Sequence, residues 1–141
     1  MKFKLSIALA LLAAALLLCL LFWTLYDEAK LITLRAENDI YPRGVDTIIC
    51  TLTNHSYRAI RYGEAFSVEH FSDGQWSPVD ESDSGIRFQT LEKRLGALSS
   101  AVLHYRVSAF SSFADGGDYR IVISVKAGDK DYTLYCGFSV E

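Results

Sequence analysis

Two hydrophobic periods divide the chain. From Leu5 to Leu25 the sequence is uncharged and almost wholly apolar over 21 residues, so a helix built there is apolar on every face. At the helical rise it measures about 31 Å, which matches a hydrocarbon core of about 30 Å and exceeds the roughly 7–15 apolar residues of a secretory signal. The expectation is a helix that crosses the lipid bilayer through Leu5 to Leu25, within a first segment of residues 1–26.

From residue 27 to 141 the period becomes two, the pattern of half-buried strands. Leu31–Glu37 alternates Ile32, Leu34 and Ala36 against polar neighbours, and Tyr41-Pro42-Arg43-Gly44 breaks it. Val45–Asn54 puts Ile48, Cys50 and Leu52 on one face. After Asn54-His55-Ser56 come Arg58–Tyr62, a stop at Gly63, then Phe66–Phe71 and Trp76–Val79 joined at Asp73-Gly74. That Asp-Gly pair marks a hairpin, because a type I′ turn needs positive φ at both central residues. Ile86–Leu91 and Ala101–Val107 are further strands, separated by Lys93–Ser100, which fits one helical turn equally well. Tyr119–Val125 and Tyr132–Val140 close the chain around Gly128-Asp129. About 115 residues suffice for a single modest core and leave no room for two.

This all-β succession, with no convincing amphipathic helix, predicts a two-sheet β-sandwich of about 7–8 strands. Asp115-x-Gly117-x-Tyr119 leads straight into Ile121, Ile123 and Val125. It looks like the tyrosine corner of immunoglobulin-like domains, in which the phenol pins the start of a strand. Tyr119, Asp115 and Gly117 are therefore structural positions.

A wider resemblance gathers around these residues. Leu52-Thr53-Asn54-His55-Ser56, Ile60, Tyr62-Gly63, Phe66 to Phe71 with Asp73-Gly74-Gln75-Trp76, and Gly117-Asp118-Tyr119-Arg120-Ile121-Val122 are together similar to bacterial Ig-like domains. The resemblance covers roughly residues 31–126. It implies an immunoglobulin-like sandwich in a membrane-anchored or secreted bacterial protein, and no shared catalytic residues. The segment around Asn54 also resembles, more distantly, the small sandwich proteinase inhibitors of bacilli. An inhibitor would need a rigid exposed loop, for which Asp80–Gly85 is the place, although its Ser and Gly content argues against rigidity.

Charge sets the topology. Lys2 and Lys4 precede the apolar run, while Asp27 and Glu28 follow it, the asymmetry of a cytoplasmic N-terminus and an extracytoplasmic C-terminal domain. Cleavage by signal peptidase is the alternative, yet Phe22-Trp23-Thr24-Leu25-Tyr26 holds no A-x-A-like pair. A lipoprotein box at Cys19 would want a small residue before it and polar ones after, whereas Leu18 precedes and Leu20-Leu21-Phe22-Trp23 follow. Both lysines lie ahead of the run, so residues 27–141 keep 12 of the 14 Lys and Arg against all 17 Asp and Glu, a net charge of −5. Nucleic acid and anionic headgroups would repel such a domain.

Chemistry is sparse. His55, His70 and His104 form no metal-ligand spacing, and there is no G-x-S-x-G elbow or phosphate loop. No cofactor, metal or catalytic residue is expected, and the chain reads as non-enzymatic. Asn54-His55-Ser56 matches a glycosylation acceptor in form only, and Asn54 is expected to bond a neighbouring turn. Cys50 and Cys136 sit on inward faces. They are either a disulfide or two inert buried thiols; in antibody-type domains the second cysteine stands where Ile121 stands here.

One surface feature suggests recognition. A two-residue Asp73-Gly74 loop sets Phe71 opposite Trp76 and Val68 opposite Val79, on opposite faces of the hairpin. Both pairs cannot be core. Exposed, Phe71 and Trp76 could anchor an envelope protein or stack on a glycan; a longer loop would reverse the register and bury Trp76. The functional expectation is a membrane-anchored binding or structural module of the cell envelope. A protease inhibitor and an accessory subunit of a membrane complex are the alternatives.

Overall fold

The computed structural model describes residues 2–25, 28–80, 88, 91–110 and 115–141, with side chains over 7–22 of the first stretch and from residue 30 onward. The chain divides into two units, Met1–Lys30 and Leu31–Glu141. The first is the helix α1 (Lys2–Leu25) with a 3-10 turn at Glu28–Leu31. Ile7, Leu9, Leu11, Leu12, Leu16 to Leu18 and Leu20 to Phe22 are all exposed. The expectation of a bilayer-crossing Leu5–Leu25 is not carried over to the structure. Among the described residues no helix is long and apolar enough to cross a membrane.

The second unit is a sandwich. One sheet has the order β1 (Ile32–Ala36), β3 (Thr47–Asn54), β8 (Ser99–Arg106). The other runs β2 (Ile40–Tyr41), β10 (Lys130–Val140), β9 (Gly117–Ala127), β4 (Ile60–Tyr62), β7 (Lys93–Leu95). In that sheet β5 (Ser67–Ser72) also lies along β9, and β6 (Gln75–Pro78) pairs with β5. Every pairing is antiparallel except β2 with β10. Alternation decides the core: Ile48, Cys50 and Leu52 of β3 meet Tyr119, Ile121, Ile123 and Val125 of β9 and Leu134, Cys136 and Phe138 of β10 in one buried cluster.

Several elements depart from expectation. Tyr41 does not end the first strand; it closes the short β2, paired with Val140 and set edge-on against Phe138 at 5.6 Å. Lys93–Ser100 holds no helical turn. Leu95 is buried opposite Ile60 in β7, and the chain reverses through Leu98 at φ 51° into β8. The expected strand Ile86–Leu91 and the loop Asp80–Gly85 lie outside the described residues apart from Asp80, Phe88 and Leu91, and the latter two are not in strands.

β4 and β5 are two halves of one strand line against β9. Tyr62 pairs with Val125 and Ser67 with Val122, so four residues, 63–66, oppose two, a double bulge. An even insertion preserves alternation, which leaves Ile60, Tyr62 and Val68 all facing the core. The bulge swings Phe66 onto Tyr105 at 4.8 Å, Phe88 at 5.4 Å and Phe110 at 5.5 Å.

Asn54 ends β3 wholly buried, and every polar atom of its amide is used. Nδ2 donates to the Arg58 carbonyl at 2.7 Å and the Gly96 carbonyl at 2.8 Å, while Oδ1 accepts from Ser56 N–H at 3.0 Å and Ser56 Oγ–H at 2.7 Å. The expected turn bond is there, joined by a second across the fold. Such an amide is a structural tie, out of reach of glycosylation.

Candidate functional site

The β5–β6 hairpin turns through Asp73 (φ 52°) and Gly74 (φ 80°), the two-residue loop that the sequence predicts. Ser72 pairs with Gln75 and Phe71 with Trp76, while Val68 accepts a hydrogen bond from Val79 N–H at 2.9 Å. Val68 is fully buried, whereas Phe71 on the other face is 39% exposed and Trp76 is half-buried. Their rings lie 5.1 Å apart at 51°. The alternative register, with Trp76 in the core, is thereby excluded.

The pair belongs to a larger outer face. Tyr119, Ile121 and Ile123 of β9 turn inward, so Arg120 turns outward, with Glu69 opposite it in β5 and Gly137 opposite it in β10. Gly137 offers no side chain, and the guanidinium lies over Tyr135 on that side, 4.2 Å from its ring centre, and over Trp76 at 4.4 Å on the other. Glu69 Oε2 accepts from Nε and from Nη2 of Arg120, both at 2.5 Å. Tyr135 is itself 51% exposed. The result is an aromatic surface, Phe71–Trp76–Tyr135, knit by one cation whose charge is matched within the face; each cation–π contact adds about 0.5–2 kcal/mol.

Local sequence does not show Arg120 and Tyr135 as members of this face, because Arg120 is 51 positions from Glu69 and Tyr135 is 59 from Trp76. The usable signal is the Gly128-Asp129 turn. It fixes Ala127 opposite Lys130 and so carries Arg120 to Gly137 and Val122 to Tyr135.

Tyr119 is fully buried, stacked on His70 at 4.6 Å and on Phe138 at 6.2 Å. Asp115 is exposed ahead of the turn, and Gly116 (φ 69°) and Gly117 (φ 118°) take conformations that L side chains rarely adopt. Cys50 and Cys136 face each other between the sheets, Sγ to Sγ 3.5 Å, as thiols. Cys136 lies directly across β10 and β9 from Ile121, one strand over from the position an antibody-type cysteine would hold. The neighbouring thiol and burial push Cys50 well above the usual thiol range.

Among the described residues no three His, Cys, Asp or Glu approach closely enough to hold a metal. A cavity of about 740 Å³ opens at the double bulge, lined by Tyr62, Phe66, Phe88, His104 and Tyr105. Its polar rim is the exposed Lys93–Glu64 pair at 2.9 Å, which holds the ammonium more firmly protonated through a hydrogen bond.

The family model of the bacterial Ig-like domain matches residues 28–139, the stretch that carries the sandwich. The chain belongs to the bacterial Ig-like domain family. No curated protein matches it. Among solved structures it is similar to the periplasmic chaperone SfaE, at 10% identity and a TM-score of 0.47, over 78% of this chain and 56% of that one. It is also similar to the archaellum periplasmic stator protein FlaG of Sulfolobus acidocaldarius, at 22% identity and 0.39, over 77% of this chain and all of the other. A third is the alkylpurine DNA glycosylase AlkC of Pseudomonas fluorescens, at 9% and 0.40, over 79% and 30%. The chain thus spans about half the length of the chaperone. Nothing about the activity of this bacterial Ig-like domain rests on these three likenesses.

Proposed function

We propose that this chain is a membrane-anchored, extracytoplasmic bacterial Ig-like module that binds a protein partner without catalysis, through the outer face carried by Phe71, Trp76, Tyr135 and Arg120. The observation that carries the reading is the Arg120 guanidinium held between Trp76 and Tyr135 by Glu69. Trp, Tyr and Arg are the residues that dominate protein–protein hot spots, and here they are ordered before any partner arrives. A glycan fits less well, since a sugar ring needs an open aromatic face and Arg120 covers one face of Trp76. Anchoring is supported by the apolar stretch Leu5–Leu25 within α1 and by the lysines ahead of it.

The test is a photo-cross-linking residue placed in the full-length chain in its native membrane, at Phe71 or at Tyr135. Val102, exposed on the other sheet, is the control position. One defined protein adduct from 71 and 135, absent from 102 and abolished by Arg120→Ala, supports the reading. Adducts that are equal at all three positions overturn it.

A further inference from the structure

We infer that Cys50 and Cys136 are the two ends of a disulfide that staples the sheets together, formed before the sandwich closes. Cys50 lies on β3 of the three-stranded sheet and Cys136 on β10 of the other, so a bond between them would be the sandwich's covalent tie across its core. Their sulfurs are 3.5 Å apart, and a disulfide needs about 2.05 Å. The gap is within what a side-chain rotation and a small strand adjustment supply, whereas strands held farther apart could not be bridged at all. The two residues are 0% and 2% exposed. The Cys136 hydrogen bond and burial favour the thiol form of Cys50, while the hydrogen bond from Cys50 lowers Cys136; only a thiolate attacks, and burial keeps both sulfurs from meeting an oxidant. Tyr105 lines the same pocket of core with its hydroxyl buried and, among the described residues, unpartnered, so it assists neither sulfur as a base.

These facts fix the order of events. In the closed sandwich the pair is shielded from any oxidant, so oxidation belongs to the opening chain. The oxidant is a disulfide, either of low molecular weight or in a dithiol oxidoreductase. One cysteine thiolate attacks it and releases the first thiolate of the oxidant. The second cysteine then attacks the mixed disulfide and releases the other thiolate. Two electrons leave the cysteine pair, two protons end on the released thiols, and one S–S bond has replaced another.

Full-length protein carrying Cys19→Ser, in detergent, is unfolded, refolded with glutathione and glutathione disulfide, then denatured, alkylated and weighed intact. The expected product is two hydrogens lighter than the reduced chain, takes no alkyl group, and yields a linked peptide containing Cys50 and Cys136. The same protein folded under reducing conditions, then given glutathione disulfide, is expected to oxidise no faster than it unfolds. With Cys136→Ala, Cys50 refolded in the same buffer should carry glutathione. Free thiols or two glutathione adducts after oxidative refolding of the two-cysteine chain would overturn the bond. Rapid oxidation of the folded chain would overturn its timing.

Discussion

Arg120 stands directly opposite Glu69 across β9 and β5, and two of its nitrogens donate to the same carboxylate oxygen while its plane rests on Trp76 and Tyr135. Both side chains are less than a quarter exposed, so this pair is screened less than an ordinary surface ion pair. Lysine cannot reproduce either the fork or the stacking. Arg120→Lys is expected to lower stability by about 1–2 kcal/mol. A double-mutant cycle of Arg120→Ala with Glu69→Ala, followed by urea denaturation, should return a coupling of about 1 kcal/mol that survives high salt. A coupling near zero would reduce the face to unrelated neighbours.

The amide of Asn54 ties the end of β3 to Arg58 and, 42 residues on, to Gly96. Asn54→Ala leaves two carbonyls and the Ser56 N–H without that partner, at a cost of about 2–3 kcal/mol. Asn54→Asp should be worse at neutral pH, because a carboxylate would face the same two carbonyls with no hydrogen to donate. Denaturation midpoints of the two variants check the order; an Asp variant as stable as the parent contradicts it.

Much of this fold was legible because local signals dictate it. Asp73-Gly74 and Gly128-Asp129 set two registers, and alternation named Ile48, Cys50, Leu52 and Ile121 as core. What escaped depends on distant partners. β2 exists only because Asp39 and Tyr41 carbonyls accept from Ser139 and Glu141 at the far end of the chain. β7 is three residues long and exists because Leu95 finds Ile60. The outer face was half visible: Phe71 and Trp76 are joined by a turn, whereas Arg120 and Tyr135 reach them only through the sheet.

Gly117 enters β9 at φ 118°, and a Cβ there would stand 2.8 Å from His70 Nε2. Two penalties therefore add in Gly117→Ala, backbone strain of about 1–3 kcal/mol and displacement of His70 from its stack on Tyr119. His70→Ala in the same chain removes the second and leaves the first. In thermal unfolding the double variant should lose less stability than the sum of the two single variants; strict additivity would mean that the clash costs nothing.

If the N-terminal apolar run holds the domain outside the cytoplasm, an enzymatic reporter that works only there will be active when fused after Glu141. The chain will also stay with membranes through an alkaline wash. Moving the two lysines, by Lys2→Asn and Lys4→Asn with basic residues placed after Leu25, should lower that activity, because orientation follows basic charge. Release of soluble protein trimmed near residue 25 would show a cleaved signal instead.

Phe71 and Trp76 separate binding from stability. Phe71 is 39% exposed and meets mainly Trp76, so Phe71→Ala is expected within about 0.5 kcal/mol of the parent. Trp76 is half-buried beneath Arg120 and beside Phe71; its truncation should cost about 1–2 kcal/mol, well short of the roughly 3–5 kcal/mol of a core tryptophan. Both substitutions should nonetheless abolish partner cross-linking to about the same degree, because an anchor works through the ring that it presents. Urea curves and cross-linking yields of the two variants, measured side by side, decide the matter. If yields fall only in proportion to the unfolded fraction, the aromatic face stabilises the sheet and recognises nothing.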